Sequence, residues 1–255
     1  MTRFALLALA ALLPLSAQAQ KATPKGGAPP AAASALPDTL RPGDLDVVAP
    51  TAGEVTYTVR LLAPMQQDIG TLTETVTVDG DAITRTSNVN VPMAGQDETT
   101  VSTLDGATLA TRAVTMDGST AVGELTITDD RATGTRGVIS APGETLSPEP
   151  VDEALSGPHF GGGWIDALVR SVPLTEGHTH HVVVYSARDG AGLVRMTVLG
   201  ERTEKPAGGA ATTFVAVETD DGEQTMTHFV DAETRMIQMV RFSPQPGVEV
   251  EFVRD

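Results

Sequence analysis

Five stretches of this chain alternate apolar and polar side chains with a period of two, and nothing else in the sequence limits its possible folds so sharply. Val55, Tyr57, Val59 and Leu61 are interleaved with Glu54, Thr56, Thr58 and Arg60, and Leu72, Val76 and Val78 with Thr71, Thr73, Thr75 and Thr77. Ala121, Gly123, Leu125 and Ile127 form a third row, Val194, Met196 and Val198 a fourth, and Val248, Val250 and Phe252 a fifth. In an extended backbone successive side chains point to opposite faces, so each stretch has one apolar face and one face rich in Thr or Glu. A helix would scatter the same residues around its circumference. The pattern predicts antiparallel strands with one face packed and the other wetted.

The turns agree with that reading. Asp79-Gly80, Asp117-Gly118, Asp189-Gly190 and Asp221-Gly222 fall between alternating stretches, and Asp105-Gly106 and Asp129-Asp130 read as further turns. Asp-Gly supplies the positive φ angles that tight hairpins need. Hairpins in succession make a meander, in which strands adjacent in sequence are adjacent in the sheet. The alternation lapses over residues 138–163, which gather Pro142, Pro148, Pro150 and Pro158 and read as a loop. Trp164, Ile165, Leu168 and Val169 then fall on one stripe at helical spacing before Pro173. This predicts one short amphipathic helix that plugs one side of a curved sheet.

The N-terminus has a different character. Arg3 precedes an apolar run over residues 4–15, followed by small residues at Ala17 and Ala19. That is the pattern of a secretory signal cleaved after Ala19, and the run is too short for the roughly 20 residues a membrane span requires. Residues 20–50 are rich in Ala, Pro, Gly and Ser, and cannot bury enough apolar surface to fix themselves. The expected organisation is a signal over residues 1–19, a flexible tether over 20–50 and a single β domain over 51–255. The expected location is the periplasm or the exterior, with no membrane-spanning segment in the mature chain.

Composition removes several functions. With no cysteine there are no disulfides, thiolate metal sites or cysteine nucleophiles. A formal net charge of −16, with Lys21, Lys25 and Lys205 as the only lysines, argues against nucleic acid as a partner, because phosphate binding needs cations to replace counterions.

Five histidines are the remaining candidates for chemistry. His178 and His180, two apart in an expected strand, project to one face and could bind a metal if His159, His228 or a carboxylate supplied a third ligand. His228 shares a face with Met226 and Val230, as a hydrogen-bonded core histidine would. His159 stands before Phe160 and three glycines, Gly161, Gly162 and Gly163, which permit close approach of a ligand. There is no GxSxG elbow and no HExxH pair, so no catalytic residue and no cofactor are assigned.

Three segments of the C-terminal part carry a resemblance. They are Leu168-Val169-Arg170-Ser171-Val172-Pro173-Leu174-Thr175-Glu176-Gly177, the hairpin from Val198-Leu199-Gly200-Glu201 to Lys205-Pro206-Ala207-Gly208, and Phe229-Val230-Asp231-Ala232-Glu233-Thr234-Arg235-Met236-Ile237. In its turns and packing positions this region, about the last 90 residues, resembles a widespread family of uncharacterised exported bacterial domains. The resemblance implies an open, strongly curved antiparallel sheet, half-barrel-like and similar in shape to the periplasmic lipoprotein carriers. It brings no active-site residues.

The function expected from these features is non-enzymatic. A cell-envelope binding or carrier protein would hold an apolar ligand, a lipid or a lipoprotein acyl chain, against Trp164, Leu168, Phe160, Met196 and Met226. Two further classes fit the sequence: a structural or protein-interaction module of the envelope, and a metal-dependent hydrolase built on His178 and His180.

Overall fold

The structure, a computed structural model, describes residues 39–45, 48, 50–139, 144–162, 165–206 and 209–255. The expected signal, the tether up to residue 38 and Trp164 lie outside the described residues. All the alternating stretches become strands of one sheet. In chain order these are β1 (Thr39–Leu40), β2 (Gly53–Ala63), β3 (Gln67–Asp79), β4 (Ala82–Val91), β5 (Gln96–Asp105), β6 (Thr111–Gly118), β7 (Ala121–Ile127) and β8 (Arg131–Val138). They continue as β9 (Glu149–Ala154), β10 (Phe160–Gly161), β11 (Thr179–Ser186), β12 (Gly190–Glu204), β13 (Thr212–Asp220), β14 (Thr225–Val230), β15 (Ile237–Gln245) and β16 (Val248–Arg254), with, among the described residues, one α-helix, α1 (Ile165–Ser171), and a 3-10 turn at Pro92–Ala94.

The strand order is β1-β11-β12-β13-β14-β15-β16-β2-β3-β4-β5-β6-β7-β8-β9, with β10 paired to β11. Two antiparallel meanders, β2 to β9 and β11 to β16, are joined where the last strand pairs with the first long one, Phe252 opposite Val59. The rows of Leu72 and Val194 therefore belong to one sheet, not to the two layers of a sandwich. The sheet is not closed. Register shifts at Val59/Arg60, Thr103/Leu104, Val198/Gly200, Phe229/Val230 and Phe242/Gln245 insert extra residues into single strands. Each such bulge increases the local twist and bends its strand, which curls the sheet around an interior.

The largest apolar cluster gathers Ile83, Leu104, Leu109 and Phe160 with Val182, Val194, Met196, Val198 and Val217. Helix α1 adds Ile165, Ala167, Leu168 and Val169 to it, so the expected amphipathic helix packs its stripe into this core. A second cluster joins Tyr57, Leu72, Val89, Met226, Phe242, Val250 and Phe252, and a third joins Val114, Met116, Ala121, Leu125 and Tyr185.

Two expectations from the sequence differ from this architecture. The proline-rich loop contains β9, a strand with Pro150 in it. Proline lacks the N–H of an inner ladder but is tolerated on an edge, and β9 pairs only with β8. The end of the expected tether is also ordered. Thr39 and Leu40 add to β11 in parallel register, and Leu40 and Leu45 pack on the main core, so apolar burial fixes a segment whose composition reads as linker.

The two ends of the sheet meet through side chains at one end of the seam and through backbone at the other. Tyr185 on β11 donates its hydroxyl proton to Glu153 Oε2 on β9 at 2.9 Å, and Arg136 Nη2 donates to Glu153 Oε1 at 2.8 Å. Gly190, at φ +86°, stands where a Cβ would come within 3.1 Å of Glu153, so a side chain there would push this contact apart. At the other end of the seam Ala110 bridges to Phe160, and Thr111 N–H donates to His159 O at 3.0 Å.

Candidate ligand-binding cavity

These three apolar clusters, the first two of which both pack against Val240, border one space. Between them lies a cavity of about 190 Å³. Its walls come from opposite meanders. On one side stand Met226, Val240 and Phe252, with Ile237 and, from α1, Ile165. On the other, β3, β4 and β5 contribute Glu74, Arg85, Ser87, Glu98, Thr100 and Ser102.

The register explains how polar groups come to line the interior. Cross-strand partners share a face. Glu74 lies opposite Ser87, Ser87 opposite Thr100, and Arg85 opposite Ser102. These residues stand on the face that carries Leu72, Val89 and Leu104, so they form a polar band across an otherwise apolar inner surface. Glu74 and Arg85, diagonal neighbours, form an ion pair with side chains only 8% and 12% exposed. A second pair crosses the seam. Arg188, in the turn after β11, places Nη1 3.7 Å from Glu98 Oε2, both side chains about a tenth exposed. Arg188 Nη1 also donates to Thr120 Oγ1 at 3.0 Å, and Thr120 donates to Glu98 Oε1.

The apolar wall has one polar member. His228, buried on β14, shares a hydrogen bond of 2.9 Å between Nε2 and Thr219 Oγ1. Beside the cavity, burial pushes the Asp189 carboxyl up to about 6, against the hydrogen bond it accepts from Ser186 Oγ at 3.0 Å. Burial and the neighbouring Glu153 carboxylate push the Tyr185 hydroxyl above its ordinary value, so it stays a donor. Burial lowers His159, which stacks edge-on against Tyr185 at 6.5 Å.

Of the residues expected to meet a ligand, Met226 lines the cavity. Phe160, Leu168 and Met196 are buried in the main core cluster, next to α1 and β11, and are absent from the cavity wall. The glycine segment after His159 does reach it, through Gly161 and Gly162. His178 and His180 lie edge to face with ring centres 6.3 Å apart. Among the described residues no three His, Asp or Glu side chains gather as a metal ion would require. Among the described residues, too, no helix is long and apolar enough to cross a membrane.

The charged band was not read from the sequence, although a signal was there. In the row of Leu72, Val76 and Val78 the intervening position of the same parity is Glu74, a charge on a face that alternation assigns to the interior. The same holds along β5, where Gln96, Glu98, Thr100 and Ser102 precede Leu104 on one face.

Fold and cavity together define a class: a single curved, mainly antiparallel sheet with an internal cavity, apolar on one side and charged on the other. The chain belongs to the family described as protein of unknown function, DUF3108, which matches residues 54–253. Membership thus spans both meanders, beyond the C-terminal turns that carried the resemblance. No curated protein matches the chain. Among solved structures it is similar to a beta-barrel-like protein of the domain of unknown function DUF1849 from Brucella abortus. The identity is 9% over 79% of this chain and 94% of that one, with a TM-score of 0.46.

Proposed function

We propose that the protein is a non-enzymatic binding or carrier protein of the cell envelope that takes a small apolar or amphiphilic molecule into the cavity between the two meanders. The observation that carries this reading is the cavity itself, a space bordered by residues of three apolar clusters. An interior meant only for stability would be packed to the density of an organic crystal. The envelope location rests on the N-terminal pattern of Arg3, the apolar run and Ala17-Gln18-Ala19.

Size limits the ligand. A cavity of about 150 Å³ holds one benzene molecule, so 190 Å³ takes about eight carbons. A whole lipid does not fit within it; the end of an acyl chain or a short amphiphile does. The interaction-module reading is not favoured by the free edge, since β9 is short and carries Glu149, Pro150, Asp152 and Glu153, features that block strand addition.

The test is native mass spectrometry of the protein after incubation with an extract of envelope lipids, followed by organic extraction of the retained mass. A small amphiphile held stoichiometrically is the expected result. No adduct from the extract, together with no binding of any eight-carbon probe, would refute the assignment.

A further inference from the structure

Building on that reading of the cavity, we infer that the site selects a short amphiphile whose head is uncharged and hydrogen-bonding, such as the hydroxyl of a medium-chain alcohol, over a carboxylate or an ammonium on the same chain.

The reason is charge balance. Among the described residues four charged side chains line the cavity, the carboxylates Glu74 and Glu98 and the guanidiniums Arg85 and Arg188, and their formal charges cancel. Each carboxylate already faces a guanidinium across the inner surface, Glu74 with Arg85 and Glu98 with Arg188. A ligand carboxylate or ammonium would enter stripped of water and bring a fifth charge with no counter-charge waiting. Burying an uncompensated charge is the most costly way to fill such a site.

A hydroxyl meets the same wall on different terms. It donates one hydrogen bond and accepts two. It can therefore donate to a carboxylate and accept from a guanidinium without displacing either partner. The wall is already built of such groups: Ser87, Thr100 and Ser102 stand in register between the charges. The surface acts in the same direction for anions, because a net charge of −16 repels a carboxylate during approach. An ammonium would be drawn to that surface, yet the cavity offers it no net negative charge.

The experiment is calorimetric titration of the full-length protein at neutral pH with 1-octanol, octanoate and octylammonium, three probes of one chain length that differ in head charge. Octanol is expected to bind at least about tenfold more tightly than either ion, a factor that corresponds to about 1.4 kcal/mol. Octanoate or octylammonium binding as tightly as octanol overturns the inference. Equal binding of all three overturns it too, while leaving the proposed binding function standing; binding of none removes both.

Charge-balance variants sharpen the test. Glu98→Gln leaves one net positive charge on the wall and is expected to move the preference towards octanoate, while Arg188→Gln leaves one net negative charge and moves it towards octylammonium. A merely structural ion pair would weaken all three probes alike in both variants, and that outcome also overturns the inference. If a variant does not fold, the wild-type series decides.

Discussion

On β3, β4 and β5 the inner face of the sheet carries Leu72, Glu74 and Val76, then Val89, Ser87 and Arg85, then Glu98, Thr100 and Ser102. On β14, β15 and β16 it carries Met226 and His228, then Val240 and Phe242, then Val250 and Phe252. Both walls are three antiparallel strands joined in succession and enclosed in the same interior, the first built of the longer strands. The second packs in the ordinary way, with Phe242 and Phe252 edge to face at 5.5 Å. The first places two carboxylates in ion pairs, Glu74 with Arg85 of the same wall and Glu98 with Arg188 from across the seam, where apolar side chains would stabilise at least as well, since a buried pair rarely recovers the full cost of desolvating it. The difference teaches that curvature and hairpin pairing do not require the polar band. On the function proposed above, its presence is tied to what the cavity holds.

The comparison can be broken at each wall. Glu74→Ala strands the Arg85 guanidinium and is expected to cost about 3–5 kcal/mol. Phe252→Ala removes a buried ring and is expected to cost a similar amount, about 3–5 kcal/mol, through the cavity it leaves. Urea midpoints measure both. The walls then part company. The double substitution Glu74→Leu with Arg85→Met is expected to restore wild-type stability or exceed it by about 1–4 kcal/mol, because a well-packed apolar pair replaces a desolvated ionic one. A double variant as unstable as Glu74→Ala would show that the polar band is needed for the fold.

Next in size is Asp189, in the turn that carries Arg188 across the seam. Its folded value, about 6, lies above its ordinary 3.8, so the folded state holds this proton more tightly than the unfolded state. Stability from this group is therefore greatest below about pH 4 and is lost as pH rises through about 6. Two pH units correspond to an upper figure of about 3 kcal/mol. Asp189→Asn, which keeps an acceptor for Ser186, is expected to stabilise the protein above pH 6 by up to that amount and to change little near pH 4. Parallel pH profiles of variant and wild type would rule the assignment out.

The smallest effect belongs to the apolar wall's one polar group. Thr219→Val removes the hydrogen bond to His228 Nε2 and is expected to cost about 1 kcal/mol. A loss as large as that of Phe252→Ala would mean that the imidazole organises its wall as the charges organise theirs.

The fold was largely legible, and for local reasons. Side-chain alternation needs only the pleat of an extended backbone, and Asp-Gly turns need only the permissive φ of glycine; Gly80 and Gly222 take positive φ between their hairpin strands. The helical stripe of Ile165, Leu168 and Val169 emerged as α1 on the core for the same reason. β9 was hidden because an edge strand tolerates the proline that reads as a breaker, and Thr39–Leu40 because its burial is supplied by β11, far along the chain. Met226, which lines the cavity, and Phe160, Leu168 and Met196, which lie in the main core cluster, were all legible only as apolar, and a packed core uses apolar residues just as a cavity wall does.

The sequence by itself determined that this chain forms antiparallel hairpins with one buried face, without cysteine chemistry and with a strongly acidic surface. These follow from local geometry and from composition. Only the tertiary structure decided that β16 pairs with β2, that three apolar clusters border one cavity, and that Glu74, Arg85, Glu98 and Arg188 meet around it. Those facts depend on bulges that bend the sheet and on contacts between residues as far apart as Glu98 and Arg188. No pattern within a single strand encodes a meeting of that kind.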